Sequence, residues 1–470
     1  MIFRRRRLIV RSLAVVVLGA LSFGGWLLHD TLVVGVGYKA KMLCSGVFVS
    51  RLDPEAVLTD LHAEDLGALR HIDASIDRGA EAVTASFLGT VRRRAVYRNG
   101  LGCTLVLDGL IPPALPDNQS TREPAAAVAP LRRAVEQRTQ DGVGDASLGN
   151  VQAAVNRAFA EPDPQHLRRT LAVVVVHRGQ IVAEQYAPGI SPDTPLAGWS
   201  MTKSVMNALI GILVRDGVLA LGLPVPVPEW QHAGDPRAAI TLDQLLRMSS
   251  GLRFDEGMVS PSSDVMQMLF GAGDVAAFAV NKELASAPGT TWEYASGTSN
   301  ILARIIRKVL RDQSAYLTFP RRALFDRIGM LSATLETDAA GTFVGSSYMY
   351  ATARDWARFG ILYLQDGVWN GERILPEGWV AYTTSPAPAD DQGRYGAHFW
   401  LRVPDDYAGT DAHLPVQAFH AAGHEAQFVT IVPSHELVIV RLGRTRYPQA
   451  WDHPAFVRDV VESKAGFRHK

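Results

Sequence analysis

Ser200, Met201, Thr202 and Lys203 make the one Ser-x-x-Lys spacing in this 470-residue chain, which holds only seven lysines. On a helix, residues three apart share a face, so the serine hydroxyl and the lysine amine are neighbours. A serine hydroxyl is a weak nucleophile until a base takes its proton, and a partly desolvated lysine is neutral often enough to serve. The positive end of a helix also favours negative charge developing at its first residue. A serine at a helix start is most often a plain cap, so position decides the weight of this pair. The pair follows a strand-like hairpin and opens an amphipathic segment, with Val205, Leu209, Ile212 and Leu213 on one side and Gly217 as the stop.

Two further segments carry groups that complete such chemistry. Tyr294-Ala295-Ser296 follows the loop signal Pro288-Gly289. A tyrosine there is either a packed aromatic or a proton relay beside a Ser/Lys pair. Phe419-His420-Ala421-Ala422-Gly423-His424-Glu425-Ala426-Gln427 enters a C-terminal hairpin. Small residues on an edge strand admit a substrate backbone. A strand N–H near Glu425–Gln427 would complete an oxyanion hole with the Ser200 N–H. His420 and His424 are candidates for substrate contact, although a lone histidine is more often structural. Other hydrolytic patterns fail: Gly198-Trp199-Ser200-Met201-Thr202 lacks the final glycine of a nucleophile elbow, and neither His424-Glu425 nor His435-Glu436 continues as a zinc helix. No metal and no cofactor are expected.

The elements that must position these groups are readable from periodicity. Leu171–Val176 and Ile181–Tyr186 form a hairpin around His177–Gln180. Gln427–Pro433 and Leu437–Leu442 form a second one. Between them lie helical patterns over Lys203–Asp216, Leu242–Met248, Asn300–Val309 and Ala353–Leu364, and another covers Leu148–Phe159. Strands at both ends with helices between predict an α+β fold. Its antiparallel sheet is closed by the two ends of the domain and flanked by helices, with a mainly helical subdomain beside it. Phe399 and Trp400 are equally placed to line an acyl pocket or to close the core, and Asp255 and Glu256 follow Ser249-Ser250-Gly251 in a loop and could line the cleft, although loop carboxylates are usually solvated.

With 47 Lys+Arg against 47 Asp+Glu, the chain lacks the basic excess of a nucleic-acid binder. Arg4–Arg7 precede an apolar run from Ser12 to Leu28. This predicts a cytoplasmic N-terminus, an uncleaved inner-membrane anchor and an exported remainder. A signal peptide shares the plan, but the run offers no good cleavage site. Thr31–Tyr38 would extend the span only by burying His29 and Asp30. In an oxidising space Cys44 and Cys103 can pair; the alternative is two separate buried thiols. The expected division is residues 1–38 as anchor, 39–147 as a small module and Pro/Ala-rich linker, and 148–470 as the hydrolase domain. Ser45–Val49 and Thr104–Leu107 read as strands of the module.

Ser200 with Lys203, then Tyr294-Ala295-Ser296, then the His420–Gly423 strand resemble, in that order, the motifs of the serine β-lactamase and penicillin-binding-protein superfamily. Gly198-Trp199-Ser200, Leu245–Gly251, Ser346–Thr352 and Gly423-His424-Glu425-Ala426-Gln427 resemble its branch of class C-like esterases and 6-aminohexanoate-dimer hydrolases. The resemblance covers about residues 150–465. It implies Ser200 as nucleophile, Lys203 and Tyr294 as proton handlers, and Ser296, His420, Gly423, His424, Glu425 and Gln427 around the substrate and oxyanion. Ser296 replaces the family's Asn, and the strand motif lacks its Lys. The implied substrate is therefore a small amide or ester rather than a penicillin. A non-catalytic, membrane-tethered peptide- or wall-binding protein, a D-aminopeptidase and a weak β-lactamase are the alternatives. Oligomeric state is not encoded in these motifs.

Overall fold

The computed structural model describes residues 29–463, apart from 108, 111, 113, 116–130, 132–145, 259, 410–413 and 415. The arginine cluster, the Ser12–Leu28 run and most of the Pro/Ala-rich segment lie outside the described residues.

Helix α1, His29–Val49, opens the described chain. It is long and apolar enough to cross a membrane, yet 72% of its most apolar stretch is buried inside the protein. The module continues with a four-stranded antiparallel sheet of β1 (Asp73–Asp77), β2 (Ala82–Phe87), β3 (Val91–Arg98) and β4 (Gly102–Val106). Thr31–Tyr38 is therefore not a free extension of the anchor. Val34 and Val36 are fully buried, and the rings of Tyr38 and Phe270 meet at 4.9 Å. The expected boundary at 38/39 falls inside this helix. Ser45–Val49, expected as a strand, is its last turn, because a short run of apolar and β-branched residues satisfies either geometry and helix context decides.

The module is joined to the rest of the molecule by a buried knot. Cys44 and Cys103 form a disulfide with 6.0 Å between their Cα atoms. Lys41 pairs with Glu336 and donates to Ser45 Oγ at 2.8 Å. Glu336 also accepts from the Cys103 N–H at 2.6 Å and from Ser45 Oγ at 3.0 Å. Desolvating a carboxylate this completely is costly unless it is well paired, and here three donors, Lys41, Ser45 and Cys103, come from two segments of the module.

The central sheet has five antiparallel strands. β5 (Thr170–His177) and β6 (Gln180–Tyr186) come first, and β10 (Phe419–Gly423), β11 (Gln427–Val432) and β12 (Leu437–Gly443) return from the C-terminal side to give the order β10-β11-β12-β5-β6. Val173 and Val175 face one layer, formed by α2 (Ala146–Arg157) and α6 (His453–Ser463). Val174 and Val176 face the other, with α3 (Met201–Arg215) and α5 (Ala353–Leu364). Burial on both faces explains why β5 reads as an unbroken apolar run. Gly360 lets α5 lie against the sheet: a Cβ there would sit 2.5 Å from Val438. A small sheet of β7 (Leu196–Ala197), β8 (Thr334–Leu335) and β9 (Met349–Ala351), ordered β7-β9-β8, delivers the chain to Ser200. Helix α4, Ser296–Leu310, starts four residues before the expected Asn300.

Candidate active site

Ser200 occupies the N-cap position of α3, but its side chain makes no capping hydrogen bond. Trp199, just before it, is held at φ 47°. That left-handed conformation is costly for a bulky residue, and it turns the serine out of the β7 path. The hydroxyl is spared for another partner: Lys203 Nζ, one turn on, donates to Ser200 Oγ at 2.9 Å.

Lys203 is 1% exposed. Its amine also donates to Ser296 Oγ at 2.9 Å and to the Ser346 carbonyl at 3.2 Å. Burial lowers its pKa to about 8, with the negative charge of Glu256 opposing the shift. A lysine in this state is a usable base near neutral pH. Tyr294 brings its ring 4.8 Å from the Lys203 amine and hydrogen-bonds Ser200. Burial first, and then Glu256, push its phenol well above the ordinary range. Tyr294 is thus a phenol at neutral pH, suited to donating rather than to abstracting a proton. Ser296 opens α4, and Asn300 one turn later binds both Ser346 N and Oγ at 3.2 Å. α4 therefore sets two of the three oxygens around Lys203.

The structure sorts the C-terminal candidates. Gly423 ends β10 against Ser200: a Cβ there would lie 2.3 Å from the Gly198 carbonyl and 3.1 Å from the Ser200 nitrogen. Gly423 thus brings this strand end close to Ser200. His424 stands edge-on to Trp199 at 5.4 Å. Glu425 is buried and accepts from the Trp199 indole N–H at 3.3 Å, which steadies the strained residue. Gln427 is a staple: it donates to the carbonyls of His424, Glu425 and Gly443 and accepts from the Gly443 N–H at 2.9 Å. His420 is not brought to the site. It is fully buried on the other side of the sheet, bonded to Thr430 Oγ1 at 2.9 Å, with its pKa lowered to about 3 by burial. Alternation along β10 puts it on the face opposite Ala421.

A family model described as Beta-lactamase matches residues 132–461. The chain belongs to the β-lactamase family. Among curated relatives, a 6-aminohexanoate-dimer hydrolase of Paenarthrobacter ureafaciens is 30% identical over 224 residues, covering 45% of this chain and 56% of that protein. The match thus spans little more than half that relative's length. Among solved structures, a penicillin-binding-protein homologue from Caulobacter crescentus is 19% identical with a TM-score of 0.50, covering 69% of this chain and 99% of that one. The hydrolase EstCE1, with promiscuous acyltransferase activity, is 13% identical with a TM-score of 0.51, covering 68% and 99%. The fold of this β-lactamase-family chain is accordingly the α+β fold expected from its strand and helix order.

Sequence reasoning passed over three parts of the site of this β-lactamase-family member. Glu256, read as a loop carboxylate more often solvated than lining the cleft, accepts from Ser296 N at 2.7 Å and from Ser296 Oγ at 2.5 Å. The Ser346 carbonyl carried no signal, since a main-chain acceptor has no residue type. The aromatic wall was half seen. Trp400 lies 5.4 Å from Tyr294, and Trp292 and Tyr395 complete the group. Phe399 points away into the core, against Phe359 and Tyr363.

Proposed function

We propose that this chain is an exported serine hydrolase that cleaves small amides or esters through an acyl-enzyme. The observation that carries the reading is a serine hydroxyl left uncapped at a helix start and bonded by a buried lysine whose pKa has fallen to about 8. Neutral Lys203 takes the Ser200 proton as Oγ bonds to the substrate carbonyl carbon. The oxygen that becomes negative is stabilised by the Ser200 N–H and an N–H at the Gly423–His424 strand end. Collapse breaks the bond to the amine or alcohol, which leaves with a proton passed from Lys203 by way of Tyr294. Water then attacks the acyl carbon, gives its proton to Lys203, and Ser200 is restored.

The substrate class follows from chemistry on both sides of the nucleophile. The strand motif supplies no cation for a carboxylate, since His420 faces away and is held neutral by burial. Trp292, Tyr294, Tyr395 and Trp400 offer an apolar wall instead. The name of the Paenarthrobacter relative supports linear 6-aminohexanoate amides as the first substrates to try. Export is supported by the Arg4–Arg7 cluster with the following apolar run, and by the Cys44–Cys103 pairing, which suits an oxidising compartment.

The test is a turnover panel on the full chain in detergent: p-nitrophenyl esters, 6-aminohexanoate amides, D-amino-acid peptides and nitrocefin, with fluorophosphonate labelling alongside. Turnover of esters or amides that vanishes in Ser200→Ala is the expected result, with a loss of at least about 1000-fold. An unlabelled Ser200 and an inert panel would replace the hydrolase with a peptide- or wall-binding protein of the same fold.

A further inference from the structure

We propose that Glu256 is a positioning residue that fixes the direction of the hydrogen bonds around Lys203, so that the lysine lone pair has only Ser200 to face. The inference rests on Ser200 being the nucleophile and Lys203 its base.

The argument is a count of donors and acceptors. A neutral amine has two N–H donors and one lone pair. Lys203 Nζ has three oxygen partners: Ser200 Oγ, Ser296 Oγ and the Ser346 carbonyl. The carbonyl can only accept. A serine hydroxyl can accept or donate, so Ser296 could either receive an N–H from Lys203 or give its own hydrogen to the lone pair. In the second case Lys203 is spent on Ser296, and Ser200 keeps its proton. Glu256 removes that choice. Its carboxylate is an acceptor at both oxygens: one takes the Ser296 N–H at 2.7 Å and the other the Ser296 O–H at 2.5 Å. With its hydrogen committed, Ser296 can only accept from Lys203. Both N–H groups of the neutral amine are then used on Ser296 and Ser346, and the remaining lone pair meets the Ser200 hydroxyl.

The family's Asn at this position would carry its own fixed acceptor in the amide oxygen. Ser296 does not, and Glu256 supplies from a separate loop the direction that a hydroxyl lacks. The same carboxylate opposes the desolvation of Lys203, so its removal has two separable effects. The titratable groups around the Lys203 amine are Glu256, Tyr294 and His398, which Lys203 in turn affects.

Glu256→Gln is the decisive variant because it keeps the shape and reverses the hydrogen. The Ser296 N–H claims the amide oxygen, leaving the amide N–H₂ to donate to Ser296 Oγ, whose hydrogen must then turn to Lys203. The measurement is the rate of fluorophosphonate labelling of the full-length protein against pH. The expected result for Glu256→Gln is a high-pH plateau lower by about 10- to 100-fold, with the acid limb moved to lower pH because the lysine has lost a stabilising charge. Glu256→Ala, which has no group to donate, should keep more of the plateau than Glu256→Gln although it removes more atoms. In a Ser296→Ala background, Glu256→Gln should change the plateau by less than about 3-fold. An unchanged plateau in Glu256→Gln, a plateau for Glu256→Ala below that of Glu256→Gln, or an equal loss in the Ser296→Ala background would each overturn the inference while leaving Ser200 as nucleophile. A wild-type protein that takes no label would instead overturn the hydrolase reading itself, and the inference with it.

Discussion

Two lysines are buried to the same extent in this molecule, and their partners differ. Lys203 and Lys41 are each 1% exposed. Each has a serine one turn away on its own helix, Ser200 and Ser45. Each lies beside a tyrosine ring, Tyr294 at 4.8 Å and Tyr348 at 4.0 Å. The difference is the remaining partner. Lys41 touches the Glu336 carboxylate directly, whereas Lys203 touches three neutral oxygens and meets Glu256 only through Ser296. Burial lowers the pKa of both amines; at Lys41 the Glu336 carboxylate opposes this by charge and by a direct hydrogen bond, which makes a brace. At Lys203 Glu256 stands one hydroxyl away and opposes it by charge alone, and the pKa falls to about 8, as the proposed base requires. Burial alone does not distinguish the proposed base from the brace.

The comparison breaks most sharply by removing each amine in turn. Lys203→Ala should lower labelling and turnover by about 1000-fold or more while the melting temperature stays near that of the wild type. Lys41→Met should do the reverse. It leaves Glu336 buried without its cation, at a cost of about 3–5 kcal/mol in urea unfolding, while the folded fraction keeps its turnover number. Equal activity losses for the two variants would erase the distinction. Opening the Cys44–Cys103 bridge should cost less, up to about 4 kcal/mol for a loop of 59 residues' separation. Unfolding curves with and without reductant measure it, and a drop in turnover at constant fold would mean that the module acts on chemistry. The smallest effect is a matter of pH. The base form of Lys203 is the neutral one, so wild-type turnover should rise with pH and level off as the amine deprotonates around pH 8. Below that the rate should fall about tenfold per pH unit. A rate independent of pH between 6 and 9 would show that the amine is not the base.

Local physics carried much of this into the sequence. The Leu171–Val176 strand was legible because burial on both faces leaves no polar residue in the run, the Leu437–Leu442 strand because only Arg441 interrupts its apolar run, and the expected Ala353–Leu364 helix is the observed one. Ser200, Lys203 and Tyr294 were legible as candidates because the chemistry proposed for them has few substitutes among residue types. Glu256 was not. Its meaning depends on a loop docking onto the first turn of α4, forty residues away in the chain, and a loop carboxylate without that contact is a solvated one. His420 misled for the complementary reason: its residue type suggests chemistry, but strand alternation turns it to the far face. The last turn of α1 misled because a five-residue run ending Val-Phe-Val fits a strand as readily as a helix.

The burial of α1 has a mechanical consequence. The apolar run at the N-terminus ends at Leu28 in the sequence, and the described part of α1, which starts at the next residue, is largely buried in the protein. If the proposed anchor holds, the rest of the chain stays close to the lipid, sampling the thin layer of solvent next to it, and diffusion in the plane would become its way of meeting substrate.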